Sequence, residues 1–132
     1  MKKTVSIIIL LAMLLGLAGC GGGVTIGSFS SKYFNTEDYD SAVQEVMTAF
    51  SEYEGCTLKK IGYVGDAAVK AEADARGLAP EQIIVLSSTF TTDDKDHGLV
   101  FEPNKTYEDY LWVLTRSSST DPFWVVADRG YN

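Results

Sequence analysis

The segment QIIVLSSTFTT, residues 82–92, indicates the fold class because apolar and polar side chains alternate along it. Successive side chains of a β-strand point to opposite faces of the sheet, so this alternation predicts one face on a core and one face nearer water. The predicted core-facing residues are Ile84, Leu86 and Phe90, and the residues predicted on the other face are Val85, Ser87, Thr89 and Thr91.

Two more strands are predicted on the C-terminal side of this segment. Residues 107–116 and 123–128 are rich in aromatic and β-branched residues, and the run 117–122 between them has the composition of a turn. These segments predict a hairpin whose largest side chains are Trp112 and Trp124. A polar stretch, residues 93–104, is predicted to form a loop before the hairpin.

A long helix is predicted near the start of the domain, over residues 36–53. Its apolar residues recur at three- and four-residue spacing, which is typical of a helix with one face on a core. Asn35 or Thr36 can cap its first turn, and Gly55 is placed to end it.

A strand over residues 56–64 and a short alanine-rich helix over residues 67–76 are predicted to follow. Asp66 is predicted to cap this second helix, and Gly77 is predicted to end it. The helix has few large apolar residues, so we expect it on the surface of the domain.

The resulting order, α-β-α-β-β-β, predicts a single α+β domain over residues 35–132. The economical packing places the N-terminal helix on a curved four-stranded antiparallel sheet. This order of elements resembles the cystatin-like or NTF2-like class of α+β domains.

The N-terminus has the form of a secretory signal. Two lysines precede an apolar stretch of thirteen residues, Val5 to Leu17, which is shorter than the ~20 residues that span a bilayer. The following Leu17-Ala18-Gly19-Cys20 resembles the bacterial lipobox. That resemblance implies cleavage after residue 19, lipid attachment to Cys20, and a lipid anchor on the extracytoplasmic face of a cell membrane.

Two alternatives to this prediction stay open: a retained N-terminal membrane helix, and a plain signal peptide with Cys20 as an ordinary thiol. The three glycines at 21–23 disfavour the helix, because each interior glycine costs roughly 1 kcal/mol relative to alanine. Residues 20–34 are rich in glycine and serine and are predicted to form a flexible tether.

Four short segments add a second resemblance, to small lipoproteins of Gram-positive gut bacteria that form a family of unknown function. The resemblance implies a location and a fold class, and it brings no activity with it. The segments are Gly62-Tyr63-Val64-Gly65-Asp66, Ala75-Arg76-Gly77-Leu78, Phe90-Thr91-Thr92-Asp93 and Tyr107-Glu108-Asp109-Tyr110.

The charge of the chain argues against nucleic acid as a partner. The formal net charge is −7, and removal of Lys2 and Lys3 with the leader makes it −9. Such a domain repels nucleic acid and anionic headgroups, so a protein or envelope component is the expected partner besides the bilayer to which the lipid attaches it.

No catalytic residue or cofactor is predicted. His97 is the single histidine, and it lies among carboxylates that include Asp94 and Asp96. These three residues are weak candidates for a metal site, since the glycine and glutamate positions of an EF-hand loop do not match. A solvated turn is the alternative interpretation.

Two classes of function follow from these observations. The first is a non-catalytic binding or assembly module, with Tyr63, Trp112 and Trp124 as partner or ligand contacts if they are exposed. The alternative for these three aromatic residues is that they fill the core. The second class is a small-molecule or enzymatic pocket of the NTF2-like kind between the first helix and the sheet. For it the sequence offers Asp109 and Tyr110 near the start of the strand over residues 107–116, which do not form a convincing catalytic pair.

Overall fold

The computed structural model describes residues 23–98 and 100–130, which form an α+β domain. The elements in chain order are β1 (Thr25–Ile26), α1 (Thr36–Phe50), β2 (Cys56–Tyr63), α2 (Asp66–Arg76), a single 3-10 turn (Pro80–Gln82), β3 (Ile83–Thr92), β4 (Thr106–Thr115) and β5 (Val125–Gly130). The α+β class is therefore confirmed.

In the part of the chain that the structure describes, the sheet contains five strands in the order β1-β2-β3-β4-β5, and it is mixed. Strands β2 to β5 form an antiparallel meander, whereas β1 pairs with β2 in parallel. The prediction of four antiparallel strands was wrong because a strand of only two residues has no periodicity that a sequence pattern can reveal. Helix α1 is the crossover between the two parallel strands, as a parallel connection requires.

The folded domain begins within residues 20–34, the range predicted to be a tether. Thr25 pairs with Lys60, and the amide of Gly27 donates to the carbonyl oxygen of Ile61 at 2.7 Å. Phe34 is buried, and Val24 packs partly buried against the core. The predicted boundary at residue 35 is therefore too late, because apolar side chains within this range pack on the domain.

Helix α1 begins where the sequence predicts. Asn35 is its N-cap: the Asn35 side chain accepts from the amide of Asp38 at 2.8 Å, and the Asp38 carboxylate accepts from the amide of Asn35 at 3.1 Å. The helix ends at Phe50, before the predicted residue 53, and Gly55 adopts a φ of +75° in the turn that follows.

Helix α2 differs from the prediction at its N-terminus. Gly65 occupies the cap position with a φ of +126°, and no side chain caps the helix, so Asp66 is the first helical residue. Gly77 ends the helix in the left-handed conformation with a φ of +68°, as predicted. Val69 and Ala73 are fully buried and hold α2 against the domain.

Strand β3 is buried on both faces in its first half and alternates only in its second half. The side chains of Leu86 and Phe90 face α1, as predicted, but Val85 on the opposite face is also buried. The prediction that this second face lies nearer water holds only for the half that contains Thr89 and Thr91, which are partly exposed.

Candidate functional site

A groove of about 360 Å³ lies between α2 and the face of the sheet opposite α1. Its size falls at the lower end of the range that ligand pockets occupy. Sheet residues and helix residues both line it: Val64, Ala68, Ala71, Glu72, Arg76, Val85, Leu111, Val113, Asp128, Arg129 and Gly130.

The floor of the groove is apolar because two neighbouring strands, β3 and β4, point aliphatic side chains toward α2. Val85 and Val113 are paired across β3 and β4, and Leu111 lies two positions further along β4 on the same face. On the helix side the lining residues Ala68 and Ala71 are small, and this leaves the space open. A side chain of modest size could therefore enter without moving the backbone.

The rim of the groove is charged. Arg76 reaches from α2 toward β5, and its guanidinium lies 3.1 Å from Glu72 and 3.3 Å from Asp128. All three side chains are at least partly exposed, so these ion pairs contribute little stability. Arg76 can therefore exchange these carboxylates for a ligand group at small cost.

The groove is adjacent to the edge strand β5. Among residues 23–98 and 100–130, β5 pairs only with β4, which leaves its other edge unpaired in this part of the chain. Val125 is 62% exposed at the start of β5, and Phe123 just before it is 75% exposed. An edge strand with exposed apolar residues favours addition of a further strand.

The two tryptophans predicted as partner contacts lie in the core. Trp112 is fully buried and donates its indole N–H to the hydroxyl of Ser88 at 2.8 Å, and Trp124 donates to the carbonyl oxygen of Asp38 at 3.1 Å. Neither residue is exposed, so the condition for a contact role is not met, and both rings fill the core as the alternative interpretation predicted.

Tyr63 is partly buried and belongs to a polar cluster that fastens the N-terminal segment to α2. Its hydroxyl donates to Asp66 at 2.6 Å, Ser31 donates to the same oxygen at 2.6 Å, and the amide of Lys32 donates to the other oxygen at 2.9 Å. Burial, and then the hydrogen bond to Asp66, raise the pKa of Tyr63. Partial burial would raise the pKa of Asp66, but the three hydrogen bonds outweigh it and lower that pKa.

The acidic loop is held by contacts within the protein. His97 Nε2 lies 2.9 Å from Asp93, and the His97 ring lies over Gly55, where an added Cβ would come within 2.2 Å of it. The amide of Gly98 donates to Asp96 at 2.8 Å. Within the described residues, no group of three or more histidine, cysteine or acidic side chains could hold a metal ion. Asp94, Asp96 and His97 thus do not converge.

Cys56 lies partly buried beside this loop. Burial, and then the negative charge of Asp93, raise the pKa of the Cys56 thiol. The thiol is therefore protonated at neutral pH, whereas a nucleophilic cysteine needs a lowered pKa.

The space between α1 and the sheet is occupied by packed aromatic rings. The ring of Tyr53 stacks on Trp112 at 6.0 Å, and Phe50 contacts Phe90 at 5.2 Å. The Tyr110 hydroxyl lies 3.2 Å from that of Tyr53, while Asp109 is exposed with a φ of +56° at an irregularity of β4. Among the described residues, aromatic rings therefore fill the place predicted for a pocket, and Asp109 is exposed.

Sequence reasoning missed the groove, because its walls come from segments far apart in the chain. Arg76 and Asp128, which meet across it, are 52 positions apart. The spacing of apolar residues in β3 and β4 predicts that this face of the sheet is buried. It does not indicate that α2 leaves part of the face uncovered.

Comparison of the chain with protein-family models, with curated proteins and with solved structures found no match. Within the described residues, none of the helices has the length and apolar character needed to cross a bilayer. The predicted leader, residues 1–19, and Cys20, the predicted site of lipid attachment, lie outside the described residues.

Proposed function

We propose that this protein is a membrane-anchored extracytoplasmic lipoprotein that binds an extended peptide segment and performs no catalysis. The observation that carries the binding part is the groove beside β5, with its apolar floor and charged rim. The anchor part is supported by the Leu17-Ala18-Gly19-Cys20 segment after a short apolar leader. The helix α1 packed on an antiparallel meander supports membership of the broad cystatin-like or NTF2-like class.

A peptide fits the site better than a compact small molecule does, because the groove opens beside an edge strand. A peptide that pairs with β5 would gain main-chain hydrogen bonds, and its alternate side chains would point toward the groove. The valine and leucine floor would take an apolar side chain, while Arg76 and Asp128 at the rim would pair with charged ones.

We expect the Cys20→Ser variant to lose its membrane anchor, since only a thiol can form the thioether to diacylglycerol. The full chain, expressed in a bacterium that processes lipoproteins, should move from the membrane fraction to the soluble exported fraction or stall as an uncleaved precursor. Fractionation and intact mass measure this. The matched control is Cys56→Ser, which should stay anchored with the added lipid mass.

The two alternatives give different results in this experiment. A retained N-terminal helix predicts that Cys20→Ser stays membrane-bound with an unchanged mass. A plain signal peptide predicts that the wild-type protein already lacks lipid mass and is soluble. Either result would contradict the lipid anchor.

We expect Ala71→Arg to block peptide binding, because Ala71 lines the groove and an arginine there fills it. Peptides selected from a random library on the wild-type protein should bind this variant at least about tenfold more weakly, a loss of about 1.4 kcal/mol. The control is Ala75→Arg, on the same helix and also exposed but outside the groove. Equal affinities for the two variants would show that the peptides bind elsewhere.

A further inference from the structure

We propose that the anchored domain lies against the bilayer with Lys59 and Lys60 facing anionic phospholipid headgroups. This inference rests on the proposed lipid anchor at Cys20. It follows from three features: the length of chain between the anchor and the fold, the bulge in β2, and the charge around the two lysines.

The connection between Cys20 and the folded domain is only three glycines long. Val24 already packs against the core, and Thr25 is paired in the sheet, so residues 21–23 are the only linker. A chain of four residue steps reaches at most about 14 Å. A domain of this size has a radius of gyration of about 13 Å and is therefore at least about 26 Å across. The linker is shorter than this width, so it cannot let the far side of the domain face the membrane.

A β-bulge directs two consecutive lysines away from the core. The register of β2 on β3 shifts between Leu58 and Lys60, so Lys59 is the extra residue. In a regular strand neighbouring side chains point to opposite faces, whereas a bulge lets two neighbours share one side. Leu58 and Ile61, three positions apart, are both buried, while both lysines between them are exposed.

The lysine pair lies where the chain from the anchor enters the fold. Thr25 pairs directly with Lys60 across β1 and β2, which places the lysines within one or two residue positions of the linker. The residue paired with Lys60 on the other side, Thr89, is uncharged.

The two lysines are free to meet an outside anion. Within the described residues, neither Lys59 nor Lys60 has a carboxylate at salt-bridge distance, whereas Lys70 pairs with Asp74 at 3.0 Å. Anionic headgroups attract such lysines over about one Debye length, roughly 8–10 Å. Anionic headgroups repel the acidic domain as a whole, so for an anchored domain the favourable orientation is the one that turns this local positive charge toward them.

Lysine labelling of the lipidated full-length product in vesicles tests the proposal. Purified protein is reconstituted in phosphatidylglycerol–phosphatidylcholine vesicles, in pure phosphatidylcholine vesicles and in detergent, and an amine-reactive ester is quantified at each lysine by mass spectrometry. We expect labelling of Lys59 and Lys60 to fall at least about threefold in the anionic vesicles relative to phosphatidylcholine. Lys70 on α2 and Lys95 in the acidic loop serve as internal references and should not change.

The failures of the anchor and of the orientation are distinguishable. If the protein co-sediments with the vesicles but Lys59 and Lys60 label as fast in anionic vesicles as in phosphatidylcholine, the orientation is overturned and the anchor stands. Protection of Lys95 in place of Lys59 and Lys60 would likewise overturn it. If Cys20 lacks lipid mass and the protein stays in the supernatant, the anchor fails and this proposal fails with it.

Discussion

Replacing Trp112 by alanine should lower the free energy of unfolding by about 3–5 kcal/mol, the range for removal of a large buried aromatic ring. Trp112 is fully buried, stacks on Tyr53, and donates to Ser88, which in turn donates to the carbonyl oxygen of Tyr110. The substitution removes the ring and leaves a cavity between α1 and the sheet. Urea denaturation followed by Trp124 fluorescence measures the loss.

Two further variants make the Trp112 result specific. Trp112→Phe keeps most of the ring and should cost less than half as much, since it loses mainly the hydrogen bond to Ser88. Phe123→Ala removes an aromatic ring that is 75% exposed and should change stability by no more than about 0.5 kcal/mol. If Trp112→Ala lowered the free energy of unfolding as little as Phe123→Ala does, the Trp112 ring would not be part of the core. Trp112 would then again be a candidate surface contact.

Replacing Arg116 by methionine should lower the free energy of unfolding by about 3 kcal/mol, the lower end of the range for breaking a buried ion pair. Arg116 lies 2.8 Å from Asp38 and also donates to the carbonyl oxygens of Glu81 and Asp121. Its guanidinium lies 4.3 Å from the ring of Trp124. The lower end applies because Asp38 keeps some contact with water.

The matched control for Arg116 is an exposed ion pair. Lys70→Met breaks the ion pair between Lys70 and Asp74, whose side chains are 56% and 65% exposed, and should leave the free energy of unfolding almost unchanged because water screens this pair. Arg116→Lys keeps the charge but loses the planar fork, so its cost should lie between the two. Thermal or urea denaturation of all three variants is the measurement. Equal effects of Arg116→Met and Lys70→Met would show that Arg116 does not join α1 to the sheet.

The apolar periodicity of the sequence predicted the helix and the strand that bury a continuous row of apolar side chains. The apolar spacing of α1, its N-cap at Asn35 or Thr36 and the alternation in the second half of β3 all rest on interactions between residues close in the chain, and the structure confirms them, with Asn35 as the cap. The left-handed conformation of Gly77 was predictable for the same reason, because a glycine after an amphipathic run is a local stop signal.

The predictions from sequence fail where a hydrogen-bond or pairing partner comes from another segment of the chain. Asp66 has the composition of a helix cap, but its carboxylate accepts hydrogen bonds from Ser31, Lys32 and Tyr63, and Gly65 takes the cap position. The segment before α1 has the composition of a flexible linker, yet Thr25 and Ile26 pair with β2. The amino-acid composition of a segment indicates how well that segment is solvated on average. It does not indicate which strand, far away in the chain, lies within hydrogen-bonding distance of the segment.

The two tryptophans show the same difference between what the sequence determines and what the tertiary structure determines. An aromatic residue on a strand suits a core and an interface equally well, so the sequence left Trp112 and Trp124 open between the two. The pairing of Leu86 with Trp112 and the packing of α1 over that face place the Trp112 ring inside. Tertiary packing therefore decided their burial.

What the sequence by itself determined is the α+β class, the main helix with its cap and the central strand, because periodicity and capping depend on neighbours within a few residues. The tertiary structure alone decided the fifth strand, the burial of both tryptophans, the groove between α2 and the sheet, and the start of the packed domain at Val24. Each of these features depends on which segments pack against each other. The free energy of that packing comes from contacts between residues far apart in the chain.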